Sequence, residues 1–94
     1  MEGDEFLRRM RLGDASVFDE LMPILEKLVH GACSSFRIFD QRRDDVVQDV
    51  ALKVFRQWKS YESQSKLSTW LYAIARNRCL DELRQQNRMK NRTV

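Results

Sequence analysis

Two groups of side chains in this sequence have types and spacings suited to recognition. The first is aromatic and cationic. Tyr61, Trp70 and Tyr72 lie close to Lys59, Lys66, Arg76 and Arg78. Flat rings stack on unpaired bases and cations hold phosphates, which is what a single-stranded nucleic acid requires. Trp70, Ala73, Asn77 and Arg84 also fall on one helical face. A small residue beside an aromatic ring and an amide makes a shallow pocket for a base edge. Arg88, Lys90 and Arg92 continue the basic run and outweigh Asp81 and Glu82. A basic helix end lies along duplex phosphates with salt-sensitive affinity. Core or boundary positions for Trp70 and Tyr72, and a solubilising surface for the basic end, account for the same residues.

The second group is acidic. Asp45, Gln48, Asp49, Leu52 and Arg56 occupy the outward half of one helix, with Leu52 near its middle. An apolar centre supplies affinity and an acidic rim supplies orientation, so the pattern suits a protein partner. A solvated face with one tolerated leucine fits equally. Catalysis is not expected. The sequence has no Ser/His/Asp set, no metal-ligand spacing and no phosphate-cradling glycine loop, and the single histidine, His30, has no evident partner. No metal or cofactor is expected. Cys33 and Cys79 sit inside apolar helical patterns and read as buried small hydrophobes, without a CxxC spacing for zinc.

The elements that position these groups are helical. The chain has 94 residues, 43% hydrophobic and 33% charged, with three glycines and one proline. That composition predicts one all-α domain over residues 1–94, a compact bundle of about four helices. The predicted helices span about 4–12, 14–36, 44–58 and 67–88. Gly13 closes the first and Asp14 caps the second. Phe18, Leu21, Met22, Leu25, Leu28, Val29, Ala32, Cys33 and Phe36 give the second helix a continuous apolar stripe. Pro23 interrupts that stripe without changing its phase, which predicts a kink. Ile38–Arg43 reads as a loop. Val46, Val47, Val50, Ala51, Val54, Phe55 and Trp58 form the predicted core face of the third helix. Leu67, Leu71, Ala75, Cys79 and Leu83 do the same for the fourth, and Lys59–Lys66 is a polar loop between them.

Charge is divided along the chain. Residues 1–52 hold seven Lys/Arg against eleven Asp/Glu, a net of −4; residues 53–94 hold ten against three, a net of +7. Such a split predicts two kinds of partner, one of them nucleic acid. No apolar run approaches the roughly 20 residues that span a bilayer, and no secretory leader is visible. A cytoplasmic protein without membrane insertion is expected, in which a disulfide is disfavoured.

The order of these motifs is more specific than any one of them. DDVVQDVALKVFRQW (Asp44–Trp58), a short polar loop, and KLSTWLYAIARNRCLDELRQQ (Lys66–Gln86) resemble region two of the extracytoplasmic-function (ECF) sigma factors of bacterial RNA polymerase. The Asp14–Phe18 spacing and the helical proline are also similar to that family. The resemblance implies a domain that docks on the clamp helices of the largest polymerase subunit and melts the promoter minus-ten element. Asp45, Gln48, Asp49, Leu52 and Arg56 would form the docking face. Tyr61, Lys66, Ser68, Thr69, Trp70, Tyr72, Ala73, Arg76, Asn77, Arg78 and Arg84 would meet DNA, capturing a flipped base of the non-template strand. An anti-sigma factor is an implied partner, and the free domain would be a monomer. Family members normally carry a second, promoter-reading helical domain that 94 residues leave no room for; the expectation is an excised fragment, or otherwise a naturally reduced protein. A sigma-like decoy that binds an anti-sigma protein without DNA is the alternative; it would keep the acidic face and lose the basic, aromatic one.

Overall fold

The computed structural model describes residues 1–92, with side chains through Met89. Its helices are α1 (Gly3–Arg11), α2 (Ser16–Ser35), α3 (Asp40–Gln57) and α4 (Leu67–Arg92), with a 3₁₀ turn at Trp58–Ser60. No strand occurs among the described residues. The expected all-α bundle is therefore the observed fold. The α2, α3 and α4 helices pack on one another, and α1 lies against α2 and the 3₁₀ turn.

The core follows from the apolar spacing. Leu21, Leu25, Val29, Ala32 and Cys33 from α2 meet Val46, Val47, Val50 and Val54 from α3 and Leu67, Leu71, Ala75 and Cys79 from α4, all buried. Phe6 and Leu7 bring α1 into the same cluster. Burying each such aliphatic side chain contributes about 1.5–3 kcal/mol, enough to hold helices whose own propensity is marginal. Cys33 and Cys79 are free thiols with their Sγ atoms 3.9 Å apart. Burial pushes both thiols up, Cys79 to about 12, so they stay protonated at neutral pH.

Both helix ends before α3 are closed by the same hydrogen-bond pattern. At the end of α1, Gly13 takes φ +70°, its N–H donates to Met10 O and the Asp14 N–H donates to Arg9 O. At the end of α2, Arg37 takes φ +56°, its N–H donates to Ser34 O and the Ile38 N–H donates to Cys33 O. This is the paired closure that left-handed backbone after a helix permits. Asp14 then caps α2 as expected, its carboxylate accepting from the Ser16 backbone N–H at 3.0 Å and from its hydroxyl at 2.6 Å.

The α2 helix continues through Pro23, whose ring lies on the exposed side, so the apolar stripe keeps its phase across it. Three local expectations are corrected. The α3 helix begins at Asp40, inside the stretch read as a loop. Its first turn is held from outside the helix: Gln86 Oε1 accepts the Phe39 N–H at 2.9 Å, and Arg42 pairs with Glu82 at 2.5 Å. The α4 helix continues to Arg92 rather than ending near 88. Phe55, placed on the core face by sequence, is 58% exposed. At 100° per residue it lies about 120° from the centre of the Val46–Val54 stripe, beyond the buried half of the helix.

Candidate docking face and nucleic-acid interface

The exposed outer side of α4 carries most of the expected nucleic-acid residues. Ser68, Thr69, Tyr72, Ala73, Arg76, Asn77 and Arg84 are all solvent-exposed, and so is Lys66 just before the helix. Their spacing follows from the buried stripe: positions opposite Leu71, Ala75 and Cys79 must face outward. Ala73 lies near the middle of the strip, with Arg76 and Asn77 one turn further on. Arg84 pairs with Asp81 at 2.9 Å on the open surface, where such a pair contributes little. Arg88 is exposed, whereas the Lys90 and Arg92 side chains of the expected basic end lie outside the described residues.

Tyr61 lies deeper than a residue expected to meet DNA, and Trp70 takes the boundary position that its sequence left open. Trp70 is half-buried, its ring centroid 5.1 Å from that of Tyr61 and 6.1 Å from that of Phe6. Tyr61 is only 3% exposed and meets Phe6 edge-on, with centroids 6.0 Å apart and planes at 72°. Its ring therefore belongs to the core and presents no free face to a base. Its hydroxyl donates to the Ser65 carbonyl at 2.5 Å. Beside it, Met1–Asp4 and the segment Ser63–Ser68 line an open groove of about 460 Å³. Sequence patterning missed Tyr61 because its neighbours, Lys59, Ser60, Glu62 and Ser63, are polar and fix no phase.

On α3, Asp45, Gln48, Leu52 and Arg56 are exposed and Asp49 is half-buried. Leu52 is 50% exposed, and Phe55 stands one turn further along the same side. Phe55 reaches Phe18 of α2, with centroids 5.3 Å apart. Together with Met10, Gly13, Asp14, Ala15 and Trp58 they line an apolar groove of about 330 Å³. The outward side of α3 is thus acidic over its first half and carries the apolar Leu52 and Phe55 beside Arg56 over its second. Sequence reasoning found the acidic half and Leu52. It missed Phe55 by counting it into the core.

The carboxylates of the acidic half are tied to α4. Arg78 Nε donates to Asp49 at 2.7 Å and Arg78 Nη1 to Glu82 at 3.0 Å. Glu82, 2% exposed, also accepts from Arg42, whose Nη1 donates to Asp45 at 2.7 Å. Arg78 was expected on the DNA face, yet it is buried in this chain of ion pairs. A positional signal existed: Arg78 follows Leu71 by seven and Ile74 by four, which puts it on the inner stripe. Burial alone would push Glu82 up, but the hydrogen bonds from Arg42 and Arg78 outweigh it and hold its carboxyl below the usual range. Among the described residues, no group of three His, Cys, Asp or Glu side chains is placed to hold a metal, and no helix is long and apolar enough to cross a membrane.

Known proteins resemble this chain in sequence. The sigma-70 region 2 family matches residues 24–89. An ECF RNA polymerase sigma-E factor of Haemophilus influenzae is 32% identical over 84 residues, covering 87% of this chain and 43% of its own. An ECF RNA polymerase sigma factor, SigM, of Mycobacterium tuberculosis is 31% identical over 81 residues, covering 86% of this chain and 41% of its own. The ECF RNA polymerase sigma factor SigW of Bacillus subtilis is 24% identical over 80 residues, covering 85% and 43%. The chain thus spans about two fifths of the length of these relatives. No solved structure matches it. The matched span holds α3, the polar loop and nearly all of α4, and on that ground the chain belongs to the sigma-70 region 2 family, as the region-two domain of an ECF sigma factor.

Proposed function

We propose that this chain is the part of a sigma factor that docks on RNA polymerase through α3 and engages promoter DNA through the loop and α4. The observation that carries the reading is the separation of two exposed faces on adjacent helices. One is acidic and apolar, with Asp45, Gln48, Leu52 and Phe55; the other is cationic and amide-bearing, with Arg76, Asn77 and Arg84. The first suits the clamp helices of the largest polymerase subunit. The second suits the non-template strand of the minus-ten element.

Melting needs no covalent chemistry from this chain. Unstacking a base costs a few kcal/mol, and stacking on an aromatic ring returns about 1–3 kcal/mol, so a pocket that holds the flipped base tips the balance. Tyr72, 43% exposed, is the aromatic residue available for that stacking. Ala73 and Asn77 supply room and hydrogen-bonding groups beside it. Tyr61 and Arg78 are left out of the contact set because both are buried. An anti-sigma protein that covers the α3 face is a further proposed partner.

The test is a pair of titrations of the chain, one against isolated clamp helices and one against single-stranded promoter oligonucleotides. Leu52→Arg is expected to weaken the first by tenfold or more, the loss typical of a central apolar contact, and to leave the second unchanged. Asn77→Ala is expected to do the reverse. Asp49→Arg is a poorer probe, because it also removes a partner of Arg78. A chain that binds an anti-sigma protein but no oligonucleotide would establish the decoy reading instead.

A further inference from the structure

The loop between the 3₁₀ turn and α4 would be the part of the DNA face least able to hold its own shape. Glu62–Lys66 contains no apolar residue to anchor it. Its internal bonds are the Ser65 N–H and Ser65 hydroxyl, each donating to Glu62 O at 3.2 Å. Both close only a local turn on the exposed surface. At its far end the Lys66 carbonyl accepts the Thr69 and Trp70 N–H groups of α4 at 3.1 and 3.2 Å, and one side-chain bond ties the middle of the loop to the core. The Tyr61 hydroxyl reaches from beneath and donates to the Ser65 carbonyl at 2.5 Å. Burial, aided by the charge of Asp4, pushes that hydroxyl up, so it stays protonated and remains a donor.

Tyr61 is itself held by the first helix. Phe6, fully buried, meets its ring edge-on, and Trp70 packs against both rings, its centroid 5.1 Å from that of Tyr61 and 6.1 Å from that of Phe6. The fit at the hydroxyl end is close. A Cβ on Gly3 would overlap Tyr61 Oη and come within 2.9 Å of Cζ. Glycine at the first position of α1 is therefore what lets the helix approach the ring. The same four residues, Met1–Asp4, form one wall of the groove whose other wall is Ser63–Ser68.

We propose that Tyr61 is a positioning residue for base recognition, fixing the Glu62–Lys66 loop in its DNA-binding shape through the Ser65 carbonyl, and that α1 locks Tyr61 in place through Gly3 and Phe6. The inference rests on the assignment of the loop and α4 to DNA. It gives α1, which supplies none of the expected base contacts, a part in reading sequence. A loop fixed before binding does not have to be ordered by the DNA, and the affinity gained is that of the base contacts it presents. Phosphate contacts from Arg76 and Arg84 do not depend on it, since α4 holds them.

The experiment uses the 94-residue chain and a single-stranded DNA oligonucleotide that the unaltered chain enriches from a random pool, with a scrambled oligonucleotide of the same composition. Tyr61→Phe keeps the ring and removes only the hydroxyl. It is expected to lower the preference for the selected over the scrambled sequence by roughly three- to tenfold, the worth of one hydrogen bond. The slope of affinity against salt should stay the same, because phosphate contacts set it. Gly3→Ala should show the same loss, since its methyl displaces the hydroxyl. Gly31→Ala, whose added Cβ meets nothing within 4 Å, should leave the preference unchanged. Preference retained in Tyr61→Phe and Gly3→Ala, with only thermal stability lowered, would overturn the positioning role and leave the DNA assignment standing. An unaltered chain that enriches no sequence would overturn the DNA assignment and this inference with it.

Discussion

Glu82 sits between two arginines, and its protonation bears on how the bundle responds to acid. Its folded-state carboxyl lies below its usual value of 4.5, with burial opposing the shift and Arg42 and Arg78 prevailing. A depressed folded value means that the charged form favours folding. That contribution is complete above about pH 4.5 and fades as pH falls through the lower folded value. Asp14, held to about 2 by the Ser16 hydroxyl and then by Arg9, acts in the same direction, its contribution lost as pH falls through that value. The bundle should therefore begin to lose stability below about pH 4.5. Glu82→Ala is expected to cost about 3 kcal/mol at pH 7, the low end for breaking a buried pair, because Asp45 and Asp49 still hold the two arginines. Urea unfolding at several pH values checks it: the gap from the unaltered chain should narrow as pH falls to 3. A gap that stays constant would assign the cost to packing instead of charge. None of this network was legible in the sequence beyond the inward spacing of Arg78, because Arg42 and Glu82 meet across forty residues.

The turns between helices differ in how plainly the residues declared them. Gly13 announced its left-handed backbone, and Asp14 its cap. Arg37 announced nothing, since arginine carries no signal for positive φ, yet it closes α2 at φ +56°. A non-glycine residue there costs about 1–2 kcal/mol, part of which glycine returns through its freer unfolded chain. Arg37→Gly should raise stability by about 0.5–1 kcal/mol, read as a thermal midpoint a few degrees higher. A lower midpoint would mean that the Arg37 side chain supports the bundle. The start of α3 was hidden for a related reason. FDQRRDD has no apolar period, and the groups that order it, Gln86 and Glu82, come from α4. The apolar stripes of α2, α3 and α4 were legible because burial imposes their spacing directly. Phe55 was misread at the edge of one of them, and Tyr61 inside a polar loop.

At the scale of the molecule, the charge division along the chain becomes two surfaces joined through a buried seam. The acidic side of α3 and the basic side of α4 share the path Asp45–Arg42–Glu82–Arg78–Asp49. One of the cations counted in the basic half is thus neutralised internally, and the charge that half can offer to phosphates is smaller than composition indicates. This distinction is measurable. For a single strand, the slope of log affinity against log salt falls by about 0.7 for each phosphate contact removed. Arg76→Ala with Arg84→Ala should flatten it by about 1.4, since both side chains are exposed and the surface pair of Arg84 with Asp81 contributes too little to keep it from a phosphate. Arg78→Gln removes the same unit of charge but should leave the slope unchanged and appear as lost stability, because Asp49 and Glu82 already hold that guanidinium at 2.7 and 3.0 Å. A slope that flattens as much per residue in Arg78→Gln would show that Arg78 leaves the seam to reach the DNA. Asp49, its partner on α3, would then be left to bind a cation from a protein docked on the proposed α3 face, and the two faces would act as one coupled device instead of two independent ones.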